Sequence, residues 1–394
     1  MPLLFAVVLI ELIGFGIVIP ILPFLAPSLG ASNFDIALII AVFSVFSGLC
    51  GGYWGALSDK VGRKPVMAAC LFLTAISYLV LAFAETLTMV YVARIMAGCS
   101  AGVYGVASAM VADLSDEKNR TKSMGLIGAA FGLGMVVGPF LGGVLAGEAL
   151  NFTLPSLVAA ALSAIAAVLC LVILPESLSK RDRAENRAQR KHRRTLYQLL
   201  KEIQCRWLVS LYLLHSMVIS ITGYLFPLWT GYNLGWGPKE IGYVFGVQGL
   251  AMAALQGRLV GILAARFGEV QMMIVGLVLL ISGYAIATQS SDLPWVLVAF
   301  FGIITGATIC TPVMNSLLSQ RTPLSNRGRV MGSSMAIGAW GRVAGPLSAG
   351  VVLTQFGYEA AWGIGIVMGL VFIVWPIVEL GRAPQQEQAT APES

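Results

Sequence analysis

Of the 19 acidic residues in this 394-residue chain, only Glu11 lies well inside a long apolar stretch, "VVLIELIGFGIVIP" from Val7 to Pro20. An ionised group at the centre of a membrane-spanning helix costs roughly 2.5–3.5 kcal/mol, so such residues face a cavity or a partner. Burial disfavours an ionised carboxyl, and contact with water or a cation favours it. A carboxyl that alternates between those environments can take up a proton on one side of a membrane and release it on the other. Glu11 is therefore the candidate proton carrier, and a candidate partner for a cationic substrate that would compete for the same charge. The competing reading is a structural glutamate bonded to a neighbouring helix or paired with an arginine.

Three cations also fall within apolar segments. Arg94 could pair with Glu11 or shift its proton equilibrium, or it could simply bond to helix carbonyls. Arg342 lies about 20 Å along its helix from Arg329, inside the hydrocarbon. It could meet an anionic group of a substrate, balance Glu11, or pair locally with a polar residue such as Asn315. Arg258 is close enough to a helix end to snorkel. Asp113 and Glu379 can likewise reach an interface. His192 and His215 stand apart from each other, the six cysteines form no CxxC pair, and neither a metal site nor a disulfide framework is indicated. No cofactor is expected.

The elements that must hold these groups follow from composition. With 57% hydrophobic residues, 11% charged residues and a mean hydropathy of +0.83, the chain reads as an all-α polytopic membrane protein. Spanning about 30 Å of hydrocarbon takes roughly 20 apolar residues. Such segments lie near 3–25, 36–57, 66–84, 87–111, 123–146 and 154–174, and again near 207–230, 240–264, 270–288, 294–318, 330–354 and 360–380. Twelve spans result, six in each half (1–174 and 207–381), with a basic linker at 175–206 and a polar tail at 382–394. The first span reads as a retained helix, since no cleavage site follows it.

Lys and Arg set the orientation. Loops after even-numbered spans, with the tail, hold 21 of the 25, and Lys239 is alone on the other side. Both termini are expected in the cytoplasm, and the net charge of +6 reflects topology, not nucleic-acid binding.

The halves repeat. "NRTKSMG" from Asn119 and "NRGRVMG" from Asn326 are offset by 207, as are "GPFLGG" from Gly138 and "GPLSAG" from Gly345. Pro20 and Pro227 share that offset, and Gly62 and Gly268 differ from it by one. Internal repeats of this kind are common in transporter folds.

Against that frame of repeats, "GALSDKVGRKPV", Gly55 to Val66, resembles the signature of the major facilitator superfamily, matching at Gly55, Asp59, Gly62, Arg63 and Lys64. "GMVVGPFLGG" in span five, with Gly134, Gly138, Pro139, Gly142 and Gly143, resembles the superfamily's antiporter motif. "YVARIMAG" places Arg94 at the family's intramembrane arginine, and "LIGFGIVIPILP" resembles the twelve-span drug/proton antiporters, nearest the tetracycline/proton group. The second-half counterparts, "GILAARFGE" and "GRVAGPLSAG", are degenerate.

This resemblance implies a latch in which Asp59 faces the start of span eleven and Arg63 pairs with Asp113. It also implies alternating access between two pseudo-symmetric halves. Independently of the family, glycines leave span five a face without side chains, and Pro139 removes a backbone donor, so helices can approach closely and rock. Small-residue faces serve helix packing as well. Ser77 and an apolar stretch around Leu280 stand where the tetracycline group carries further acids, so the resemblance implies efflux without fixing tetracycline as the substrate.

Candidate substrate-lining residues are Glu11, Tyr104, Phe131, Tyr224, Phe226, Trp229, Gln248, Gln256, Asn315, Trp340 and Arg342, which suit an amphipathic or aromatic molecule. The expected function is proton-coupled export of such a molecule, a drug or several drugs, from a monomer in the inner (plasma) membrane. Its partners are the substrate, protons and membrane lipids. A proton symporter for a nutrient or metal chelate, or a lipid flippase, would share the fold. No nucleophile, metal or phosphate-loop motif indicates an enzyme.

Overall fold

A computed structural model of the chain describes residues 2–115, 120–148, 150–178, 206–255, 260–290, 292–322 and 327–390. Lipid offers no water to satisfy free N–H and C=O groups, so apolar runs of this length fold as helices. The described residues are helical with no strand. In chain order the helices are α1 (Pro2–Val18), α2 (Leu22–Ser28), α3 (Asn33–Val61), α4 (Arg63–Ala82), α5 (Leu87–Ser100), α6 (Val103–Leu114), α7 (Arg120–Ala146) and α8 (Thr153–Ile173). They are followed by α9 (Arg206–Leu234), α10 (Pro238–Ala254), α11 (Val260–Phe267), α12 (Glu269–Gln289), α13 (Leu293–Gln320) and α14 (Arg327–Thr390).

Local chemistry sets several boundaries. Ser32 and Asp35 form a reciprocal capping box at the start of α3, with Asp35 N–H donating to Ser32 Oγ at 3.2 Å and Ser32 N–H donating to Asp35 Oδ2 at 2.9 Å. Thr86 caps α5 through Met89 N–H at 3.3 Å. Pro20 falls in the break between α1 and α2, where the chain bends by 43°. Gly62 separates α3 from α4 at φ 121°, and Gly268 separates α11 from α12 at φ 91°. These are backbone angles that glycine adopts without Cβ strain.

Nine described helices are long and apolar enough to cross a bilayer, or ten counting α1 with α2 as one bent span. One of them, within α14, is interrupted at Gly357, φ 82°, and the expected segments 330–354 and 360–380 lie on either side of that residue. The expected segment 240–264 covers α10 and α11, with residues 256–259 outside the described residues. Most of the basic linker, including His192, lies outside them too.

Contacts divide the chain into two compact units, Met1–Arg194 with Thr230–Leu250, and Thr195–Trp229 with Ala251–Ser394. In the first unit α1 packs along α7 and α8, α4 along α8 and α5, and α3 along α5. Its core includes Leu4, Val7, Val8, Met67, Leu71, Val106, Met110 and Ala166. Residues 230–250 join this unit through the glycines of α10. In the second unit α12 packs along α13 and α14 around Met273, Leu277, Cys310, Met314 and Phe372.

Candidate functional site

Glu11 lies mid-helix on the most buried face of α1 and is 8% exposed. Ser163 of α8, itself fully buried, donates to Glu11 Oε2 at 2.6 Å. One turn further along α1, Gly14 lets the helices close up, since a Cβ there would lie 3.3 Å from Ala159 O.

Arg94 of α5 is 6% exposed, and its guanidinium lies 4.3 Å above the ring of Phe43, itself 5.6 Å from Phe15. Stacking on an aromatic face suits a guanidinium. Its Nε has no hydrogen-bond partner, and no ion pair with Glu11 forms.

The glycine turn carries a second charged cluster. Arg63, 6% exposed, reaches Asp59 Oδ1 from Nη1 at 2.8 Å and Asp113 Oδ2 from Nε at 3.0 Å, and Nη1 also donates to Ser58 Oγ at 2.7 Å. Two residues that sequence reasoning passed over complete it. Glu176 Oε1 accepts from Arg63 N–H at 2.8 Å and Oε2 from Lys64 N–H at 3.3 Å, so its carboxylate caps the positive end of α4. Ser177 Oγ donates to Asp113 Oδ2 at 3.1 Å. A hint was present in "PES", an acid just past the sixth apolar run on the side where "GRK" emerges. Gly55 opens onto free space, and its carbonyl accepts from Ser58 Oγ. Arg63 is the ion-pair partner of Asp59.

The second unit repeats this turn with different chemistry. Glu269, following Gly268, accepts from Ser316 Oγ at 2.5 Å and from Gln320 Nε2 at 3.1 Å. An acid facing neutral donors thus stands where the first half has an arginine facing an acid.

Span five uses its glycines on two sides. A Cβ on Gly134 would lie 2.5 Å from Leu12 Cβ and one on Gly138 2.6 Å from Gly16 Cα, while one on Gly142 would collide with Ile17 O. On the other side, a Cβ on Gly143 would lie 2.9 Å from Gly242 Cα, and Pro139 O lies 2.7 Å from the position a Gly242 Cβ would take. Gly16 and Gly242 are thus the unforeseen partners of the motif. Near this contact Lys239 Nζ pairs with Glu148 Oε1 at 2.8 Å, and that cation holds the Glu148 carboxyl below its ordinary range.

The remaining candidates scatter. Tyr104 and Phe131 meet edge to face at 6.0 Å and are 36% and 45% exposed. Tyr224, Phe226 and Trp229 are buried, with Phe226 stacked on Phe300 at 4.0 Å. Asn315 Oδ1 accepts from Tyr212 at 2.6 Å. Trp340 and Arg342 are exposed, Gln248 is half-buried, and Gln256 lies outside the described residues. His215 is buried, with Nε2 3.0 Å from Ala307 O and 3.2 Å from Thr311 Oγ1. Ser77 is buried and donates to Thr74 O at 2.7 Å.

The family model of the Major Facilitator Superfamily matches residues 4–257 and 208–394, together nearly the whole chain. The chain belongs to the Major Facilitator Superfamily. It is 25% identical over 389 residues to the class H tetracycline resistance protein of Pasteurella multocida, covering 98% of this chain and 96% of that one. It is 28% identical over 386 residues to the class C tetracycline resistance protein of Escherichia coli, covering 92% and 93%. The crystal structure of the human organic anion transporter MFSD10 (TETRAN) is similar at a TM-score of 0.70 and 26% identity, covering 95% of this chain and 98% of that one. This superfamily member is thus a multi-pass membrane protein of all-α fold, and its relatives are transporters.

Proposed function

We propose that this protein is a proton-driven exporter of an amphipathic drug-like molecule, working by alternating access across twelve spans with both termini in the cytoplasm. The observation that carries the reading is the buried Glu11, an intramembrane carboxyl in the first span of a chain similar to tetracycline resistance proteins. In the cycle, Glu11 takes a proton from outside as substrate leaves and gives it up to the cytoplasm before the next substrate binds. Arg94, buried in α5, acts on that equilibrium.

The Arg63, Asp59 and Asp113 cluster serves as the latch of one conformation, helped by Gly55, Gly62 and Lys64 in the turn. The glycine face of span five, Gly134 to Gly143, is the surface on which helices rock. Tyr104, Phe131, Gln248, Trp340 and Arg342 remain the proposed substrate contacts. The halves 1–174 and 207–381, joined by the linker 175–206, move about the substrate. The exporter acts as a monomer in the inner membrane and needs no cofactor beyond the proton gradient.

Everted membrane vesicles acidified inside test this. Adding tetracycline or ethidium should release protons from the lumen as the compound is taken up; uptake that persists after the gradient is collapsed would contradict it. A second reading, transport of an organic anion, is favoured by the unpartnered Nε of Arg94 and by the likeness to MFSD10. It predicts that Arg94→Gln depresses transport of an anionic dye at least tenfold more than that of ethidium.

A further inference from the structure

Helix geometry puts Glu11 on an unexpected side of span one. At about 100° per residue, Leu4, Val7, Val8, Gly14 and Val18 share its face, and all are buried. The carboxyl therefore turns into the packed core of the first unit. It points to α8, where Ser163 is the residue that meets it.

The other groups around it are few. From α4 come Met67, Cys70 and Leu71 to the surrounding core. α6 brings Val103 and Val106 to the same core, and α7 brings Gly134 against Leu12. Among the described residues, Ser163 is the one that donates a hydrogen bond to the carboxylate.

We propose that the proton site is a two-residue site, Glu11 with Ser163 as its positioning residue, set in the core of the first unit. The inference rests on the reading of Glu11 as the coupling carboxyl. Proton binding acts on the contact between spans one and six, because a neutral acid needs the Ser163 donor less than an ionised one does. A change there shifts the span that also packs, through Gly16, on the glycine face of span five.

Carbodiimide chemistry tests the site without knowledge of the substrate, since these reagents modify the protonated carboxyl. The purified full chain is treated with hydrophobic dicyclohexylcarbodiimide across a pH series, and the adduct at Glu11 is quantified by mass spectrometry, with Glu11→Gln as the blank. Ser163→Ala should move the labelling midpoint to higher pH by about one unit, and Ser163→Thr should restore it. A midpoint unchanged in Ser163→Ala would overturn the positioning role. Gradient-driven transport by Glu11→Gln is read separately: its persistence would sink the coupling role of Glu11 while leaving the labelling results to judge the pair.

Discussion

Arg63 Nε lies 3.0 Å from Asp113 Oδ2, joining the first residue of α4 to the last turn of α6. The arginine is almost wholly buried, and its Nη1 reaches Asp59 and Ser58 as well. Charge-assisted hydrogen bonds of this kind contribute about 1.5–3 kcal/mol each, well above an exposed ion pair. Arg63→Ala should therefore lower unfolding stability in detergent by at least about 2 kcal/mol and reduce transport, with Arg63→Lys recovering only part. The matching change in the second unit, Glu269→Gln, faces neutral donors and should cost less than half as much. Thermal unfolding of the purified variants checks both, and equal losses would argue against the asymmetry between the two turns.

The glycines of span five divide into two classes that the sequence does not distinguish. A methyl on Gly138 would be driven into the Gly16 backbone, whereas a methyl on Gly132 would meet nothing within 4 Å. Gly138→Ala should destabilise the fold and slow transport, since backbone atoms cannot step aside. Gly132→Ala should leave the fold intact or stabilise it by about 0.5–1 kcal/mol, the usual helix-interior difference between the two residues. Parallel measurements of melting temperature and drug efflux read the contrast.

Glu176 offers a third test. Its carboxylate satisfies two free N–H groups at the start of α4 and meets the positive end of the helix dipole. Glu176→Ala should cost about 1 kcal/mol of stability. Glu176→Gln keeps one acceptor and should cost less. The order of the two melting temperatures is the check.

At the other end of α7, the Lys239 cation holds the Glu148 carboxyl below its ordinary range. A carboxyl lowered in the folded state contributes stability above its ordinary range and loses that contribution as pH falls through its folded value. Lys239→Met should therefore flatten the fall in melting temperature between neutral and acid pH, by a small amount because both groups are solvated. An unchanged profile would mean that the pair carries no linkage.

Much of this arrangement could be read from residue types alone. The cost of a carboxyl in hydrocarbon singles out Glu11, and the spacing of Gly134, Gly138, Gly142 and Gly143 announces a close helix contact. The motif resemblance pairs Arg63 with Asp113. Partners far away in sequence were not legible: Ser163 stands 152 positions from Glu11 and Glu176 113 positions from Arg63, and no local period connects them. Aromatic residues such as Tyr224 and Phe226 look the same in sequence whether they line a cavity or fill a core, and here they fill one. The buried face of α1 was also hidden, because a helix apolar all round shows no stripe to say which side a lone carboxyl takes.

The most direct test of the account is proton movement in proteoliposomes carrying a lumenal pH dye. With the lumen acid, the wild-type protein should accumulate tetracycline or ethidium inside while the lumen turns alkaline. Glu11→Gln should do neither, yet still equilibrate the compound down its own gradient. Full gradient-driven accumulation by Glu11→Gln, with protons still leaving the lumen, would contradict the central role given to this carboxyl.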